Sequence, residues 1–325
     1  MIVARVRRTL VERRLVASGD HVLAACSGGP DSVAMVHVLG RLARPLGLTL
    51  LVASVDHGLR EGSADDVEAV GRLADSLGLP FRGLRVEVPP GASIQAAARA
   101  ARYEALRGLA VEEGATRIAV GHTLDDQAET VLARMLRGSG VPGLAGVAPR
   151  RRDGVVRPLI DCRRSEVRAH VAHHGLPVVE DPSNADRRFE RVRIRLDLMP
   201  ALADEDPAIA EHLAGLADDA RAIRGLLSSR GRRLVERAEA GGEGLGVAVL
   251  LRAGEAVRRA ALGAWLARET GRAPGRVHLA AVSRLLRRSG EVLLGDDWSA
   301  RVVDGRLVLE RRAERATRSR RRTPP

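Results

Sequence analysis

The chain has 325 residues, of which 45% are hydrophobic and 2% aromatic, and a formal net charge of +12. That length and apolar fraction suit two globular domains, no apolar run approaches the ~20 residues that span a bilayer, and no apolar signal region precedes the first charged cluster, so a cytoplasmic protein is expected. All 53 basic residues are arginine, which excludes a lysine nucleophile and leaves phosphate contacts to guanidinium groups, with a polyanionic partner expected.

In chain order, residues 22–26 read as a strand buried on both faces of a parallel sheet, and a helical pattern begins near Val33. Between them stands Ser27-Gly28-Gly29-Pro30-Asp31-Ser32. A glycine-rich turn that delivers a strand to a helix N-terminus offers free N–H groups and the positive end of the helix dipole to an anion. Gly28 and Gly29 permit close backbone approach, Ser27 and Ser32 add hydroxyls, and Asp31 is the acid available to Mg²⁺. A capped Gly-Pro turn accounts for the glycines and the cap but not for the whole hexapeptide, which also lacks the Gly-Lys-Ser/Thr ending of a Walker A loop.

Further strands are expected at 50–55, 81–86 and 117–120, with helices at 63–77, 93–113 and 124–136. This alternation predicts an α/β fold with a doubly wound parallel sheet, whose loops 27–32, 56–58 and 121–122 converge at the carboxyl ends of their strands. In 121–130, Asp126 and Glu129 lie three apart on one helix face. Carboxylates there can bind Mg²⁺, hold an ammonium group, act as bases or complement the helix dipole. Residues 138–153 form a long Gly-, Pro- and Arg-rich loop of the kind that is functional or mobile.

A strand at 155–160, a helix at 164–174, a turn at 181–184 and an arginine-rich helix at 187–198 that stops at Pro200 complete the first domain, 1–203. The second, 204–310, is smaller and mainly helical. It has one or two helices over 207–238 that bury Ile209, Leu213, Leu216, Ala220, Ile223 and Leu227, a turn at 241–246, and helices at 254–270 and 276–288. Short strands at 292–294, 300–303 and 306–309 make a hairpin that turns at Asp304-Gly305. A basic disordered tail, 311–325, is expected to follow. Cys26 and Cys162 lack metal-ligand spacing and are expected as thiols.

The hexapeptide resembles the SGGxDS signature of the PP-loop ATP pyrophosphatases, which cleave ATP to AMP and pyrophosphate while adenylating a substrate. With VDHGLR (55–60), ARAARY (98–103), GHTLDDQAET (121–130), RGSGVPGLAG (137–146), RPLI (157–160) and EDPSNAD (180–186), the first domain resembles the tRNA(Ile)-lysidine synthetase family. The remainder is similar to the first C-terminal domain of that family and ends where longer members continue, so the short form is expected.

The resemblance implies a ligase that uses ATP to activate C2 of the wobble cytidine in the isoleucine tRNA with a CAU anticodon. Free L-lysine then displaces AMP to give lysidine, which changes both codon pairing and amino-acid identity. On matching positions it implies ATP binding by Ser27, Gly28, Gly29, Pro30, Asp31 and Ser32, and Mg²⁺ at Asp31. Asp126 and Glu129 would orient lysine and accept its proton. Arg102 or Arg99 would stabilise the charged intermediate, and His57 and His122 are candidate adenosine or phosphate contacts. Arg137, Arg191, Arg193 and Arg195 are candidate RNA contacts. A homodimer stays open, as do two other functions. One is a tRNA thiolase, although Cys26 and Cys162 do not have the spacing of a sulfur-delivering pair; the other is a non-catalytic ATP- and RNA-binding protein.

Overall fold

The computed structural model describes residues 2–58, 62–88, 94–179, 186–288, 290–295 and 297–311, the side chains of 94–96 excepted. The turn expected at 181–184 and the tail beyond Arg311 lie outside the described residues, as do 59–60 of VDHGLR and 180–185 of EDPSNAD. Contacts group the chain into two compact units, Met1–Ala220 and Arg221–Pro325.

The first unit opens with α1 (Ile2–Glu12), a helix not assigned from the sequence, whose buried line is Ile2, Val6, Thr9 and Leu10. There follow β1 (His21–Ala25), α2 (Pro30–Leu46), β2 (Thr49–Asp56), α3 (Ser63–Ser76), β3 (Phe81–Arg85), α4 (Ile94–Glu112), β4 (Arg117–Ala119), α5 (Leu124–Leu136), β5 (Val155–Val156) and α6 (Arg164–His173). All five strands are parallel, in the order β3-β2-β1-β4-β5. Alternate side chains of the central strands enter opposite cores, as the two-residue strand period requires. Val22, Ala24, Leu50 and Val52 pack with apolar residues of α1, α2 and α6, whereas Leu23, Leu51 and Ala53 pack with Tyr103, Leu106 and Leu109 of α4. Each fully buried Leu or Val contributes about 1.5–3 kcal/mol. The order reverses at β1 and β4, so a crevice forms beyond their carboxyl ends.

Several boundaries differ from the sequence expectation for identifiable reasons. α2 starts at Pro30, because proline's fixed φ and missing N–H suit the first helical position, so half of the hexapeptide is helix. β5 stops at Val156, short of the expected 160, since Pro158 has no N–H for a ladder. The loop 138–153 is docked onto α5. Gln127 Oε1 accepts from the Val147 N–H at 2.7 Å, and Arg134 Nη1 donates to the carbonyls of Gly143 and Gly146 at 2.8 and 2.9 Å. The helix expected at 187–198 is α7 (Glu190–Arg193) followed by a π-helical turn, Ile194–Leu198, and α8 (Met199–Glu205). Pro200 sits in the first turn of α8 and does not stop the helix, because proline's fixed φ suits a first helical turn; the Met199 N–H still donates back to the Ile194 carbonyl.

α9 (Ile209–Glu239) is one continuous helix. Its start buries Ala210, Leu213 and Ala217 against Leu124, Ala128 and Val131 of α5, and the contact boundary at Ala220 falls within it, past the expected 203. Leu216 and Ile223, expected inside, are 37% and 43% exposed. The buried line runs through small residues, and a reading weighted to bulky side chains rotates it by about one position.

The second unit adds β6 (Leu245–Gly246), α10 (Val247–Leu251), α11 (Glu255–Thr270), α12 (Arg276–Leu285), β7 (Glu291–Leu294), β8 (Trp298–Val303) and β9 (Arg306–Arg311). The expected hairpin is β8–β9, turning at Asp304 and Gly305, within a four-stranded antiparallel sheet of order β6-β9-β8-β7. Leu234, Leu262, Trp265, Leu266, Val282, Ala300 and Leu307 are among its core. Arg311 closes β9 and does not open the tail. Among the described residues no helix is long and apolar enough to cross a membrane.

Candidate active site

The end of β1 enters a loop that closes on itself. Ser32 Oγ accepts from the Ser27 N–H at 3.1 Å and donates to the Gly29 carbonyl at 2.9 Å. Gly28 has φ +80°, and a Cβ there would stand 3.0 Å from Val179 Cγ2, so conformation and space both demand glycine. Gly29 precedes α2 without a capping side chain, which leaves first-turn N–H groups for an anion. Asp31, in that turn, has its Oδ1 buried with no hydrogen-bond partner. Burial, and then the charge of Asp126, pushes its carboxyl from 3.8 up to about 6. A buried carboxylate oxygen without a donor matches the oxygen-only preference of Mg²⁺.

The turn after β4 is pressed against this loop. A Cβ on Gly121 would stand 3.0 Å from both the Asp31 carbonyl carbon and the Ser32 nitrogen, backbone atoms that cannot yield. Thr123 then caps α5. Its Oγ1 accepts from the Asp126 N–H at 3.4 Å, while Asp126 Oδ2 accepts from the Thr123 N–H at 2.8 Å. This reciprocal box fixes the Asp126 side chain. Glu129 lies one turn on, 2% exposed.

Three guanidinium groups cover this pair. Arg164 Nη2 reaches Asp126 Oδ1 at 2.8 Å and its Nη1 reaches Glu129 Oε1 at 2.8 Å. Arg191 bonds the same two residues at 2.8 and 3.3 Å, and Arg195 does so at 3.2 and 2.9 Å. Arg164 is placed by the start of α6, whose first N–H donates to Asp125 Oδ2 at 2.6 Å. Arg191 and Arg195, four apart across the π-helical turn, share a face. Burial alone would raise the Asp126 carboxyl, but Arg164 and Arg191 hold it far below the usual carboxylate range, so it is a fixed anion and a poor proton acceptor.

His122 lies beside the acidic pair. Its Nδ1 accepts from Arg157 Nε at 3.2 Å, which leaves the ring proton on Nε2. Burial pushes its pKa down to about 3, so the imidazole is neutral. Arg157 is itself buried and also donates to the Ala148 carbonyl. His57 follows β2, with its Nδ1 buried and unpartnered; burial, and then the charge of Arg102, lowers its pKa. Arg99 and Arg102 stand 5.2 and 5.7 Å from the Tyr103 ring centre. Arg102 is the more buried of the two, and burial lowers its pKa.

The structure thus brings Ser27–Ser32, Asp126, Glu129 and His122 to one rim. The four arginines expected to touch RNA have partners within the chain. Arg191 and Arg195 bind the acidic pair, Arg137 meets Glu190 Oε2 at 3.3 Å, and Arg193 donates to the carbonyls of Arg187 and Arg188 at 3.0 and 2.9 Å. Arg164 and Arg157 are central to the site yet were not singled out from sequence. The available signal was position: Arg157 opens the RPLI segment and Arg164 stands at a helix start. Cys26 and Cys162 are free and buried. Burial raises both thiols, Cys162 to about 12, which opposes a sulfur-delivery role.

Comparison with known proteins gives this geometry a lineage. A PP-loop domain profile matches residues 3–202, and a TilS substrate binding domain profile matches 245–308. The tRNA(Ile)-lysidine synthase of Symbiobacterium thermophilum is 43% identical over 244 residues, covering 72% of this chain and 50% of that one. The corresponding protein of Salinispora arenicola is 39% identical over 331 residues, covering 97% and 96%. The chain therefore spans about half the length of some curated relatives and nearly all of others. Among solved structures, the U34-tRNA thiolase NcsA from Methanococcus maripaludis, with its [4Fe-4S] cluster, aligns with a TM-score of 0.59 at 18% identity, covering 68% of this chain and 78% of that one. That likeness concerns the fold alone. By the extent of the PP-loop match and the near full-length similarity to its relatives, this chain belongs to the tRNA(Ile)-lysidine synthase family.

Proposed function

We propose that the chain is an ATP-dependent ligase that joins free L-lysine to C2 of the wobble cytidine of the CAU-anticodon isoleucine tRNA. The observation that carries this reading is the apposition of two motifs, with Gly121 seated on the backbone of Asp31 and Ser32 and the Asp126–Glu129 pair immediately beyond. In the first step the C2 oxygen of cytidine attacks the α-phosphate of ATP and pyrophosphate leaves. In the second the lysine amine attacks C2, the bond to AMP breaks, and the amine gives up a proton.

The loop 27–32 and the start of α2 would hold the polyphosphate. Mg²⁺, with Asp31 Oδ1 as its protein ligand, would neutralise charge on those phosphates. Neutral His122 would donate from Nε2 to an anionic oxygen, and His57 would contact adenosine or phosphate. Arg102, more buried than Arg99, is our choice for stabilising negative charge on the adenylated intermediate. Asp126 and Glu129 would receive the lysine ammonium. Their three guanidinium partners support this, because a pair that binds cations through both residues is a cation receptor. Lysine would then enter by displacing Arg191 and Arg195, freeing them for the tRNA backbone, with Arg137 and Arg193 as further contacts. Since Asp126 is held so low, we assign it to positioning the ammonium and not to removing the proton.

We place the protein in the cytoplasm, where tRNA, ATP and lysine meet. The reaction is tested by its products. With ATP, Mg²⁺, lysine and unmodified tRNA, AMP and pyrophosphate should form together and only when the tRNA is present. Release of ADP and phosphate, or tRNA-independent cleavage, would contradict the proposal.

A further inference from the structure

Outside the site just described, α2 and α6 bring three histidines together. His37 comes from α2, and His170 and His174 come from the last turn of α6 and the residue after it. One ring nitrogen from each lies within 4.8 Å of the others, and His37 Nδ1 stands 2.9 Å from His170 Nε2. Ring centroids are 4.5 Å apart for His170 and His174, 4.6 Å for His37 and His174, and 5.0 Å for His37 and His170. Among the described residues this is the group of His, Cys, Asp and Glu side chains that can converge on a metal ion.

We propose that His37, His170 and His174 form a binding site for a borderline divalent transition ion of the zinc class, stapling α2 to α6. Two histidines four apart lie on one helix face, and a packed neighbouring helix supplies the third nitrogen. Three nitrogens bound tetrahedrally at about 2.0–2.1 Å stand roughly 3.4 Å apart. The 2.9 Å pair would therefore open slightly, and His174, which is exposed, would swing inward. An all-imidazole set selects Zn²⁺, Ni²⁺ or Cu²⁺ over Mg²⁺ or Ca²⁺. Burial lowers the pKa of His170 to about 4, so protons do not compete for that nitrogen at neutral pH. The charge of Arg41, which acts on all three imidazoles, opposes a dication. Affinity should accordingly be weaker than at a closed four-ligand site, with water as the fourth ligand.

The staple has a structural consequence. α2 carries Asp31 in its first turn, and α6 carries Arg164 at its start. A metal bridging the middle of α2 and the C-terminal end of α6 would lock the pair that links the phosphate loop to the acidic residues.

The test uses tag-free full-length protein and Zn²⁺ competed against a chromophoric chelator. Wild type should bind one equivalent, His174→Gln should weaken binding at least tenfold, and the neighbouring exposed His173→Gln should bind like wild type. Because His174 is exposed, its replacement should leave the apo unfolding midpoint unchanged, and Zn²⁺ should raise that midpoint in wild type but not in His174→Gln. His37→Gln should repeat the loss from the other helix. No stoichiometric binding by wild type, equal binding by His174→Gln, or a loss confined to His173→Gln would overturn the proposal.

Discussion

Asp31 carries an unmet demand in the site, a buried carboxylate oxygen with no donor. Its pKa in the folded chain, about 6, lies above the ordinary 3.8. Ionising it therefore disfavours the fold, with no penalty below about pH 4 and the full penalty above about pH 6. Asp31→Asn should abolish ligation yet raise stability at pH 7 to 8 by on the order of 1–3 kcal/mol. That gain should vanish below pH 4, as thermal melts across pH would show; a destabilised variant at pH 8 would contradict the account. Asp126→Asn removes a charge matched by three guanidinium groups. It should keep ATP binding while losing lysine transfer, and equal transfer by variant and wild type would count against the acceptor role. Asp31, Asp126 and Glu129 were legible in the sequence because each stands in a motif with a chemical reason for its spacing. Arg164 was not, because α6 meets α5 only through the fold, and one arginine among 53 basic residues carries no local mark.

At the scale of elements, two turns are fitted together. Gly121→Ala would set a methyl 3.0 Å from the backbone of Asp31 and Ser32. It should weaken ATP binding by tenfold or more with helix content unchanged by circular dichroism; unaltered ATP affinity would show that this close approach does not shape the loop. The parallel strands and the amphipathic helices were readable from periodicity, because β1 and β2 are buried on both faces and α5 has its cap in sequence. What periodicity missed was decided elsewhere. β6 is two residues long, too short to show a pattern, and exists only through its ladder partner, while β5 begins at the expected Val155 but is cut to two residues. α9 turns small alanines inward, so its bulkiest residues misled the assignment of its face. The interruption at 194–198 left no breaker in the sequence, since Pro200 fits the helix start that follows.

For the whole molecule, the formal charge of +12 without a single lysine leaves arginine as the side chain that would grip the proposed tRNA. Binding of tRNA should weaken steeply as salt rises, because each neutralised phosphate releases counterions, and a flat titration would contradict extensive phosphate contacts. The central claim is the joining of lysine to one tRNA, and it is tested most directly by incorporation of radiolabelled lysine with ATP and Mg²⁺. The tRNA substrates are the CAU-anticodon isoleucine tRNA and, for comparison, initiator methionine tRNA. The account predicts label in the isoleucine tRNA alone; ATP cleavage without label in that tRNA, or equal label in both, would contradict it.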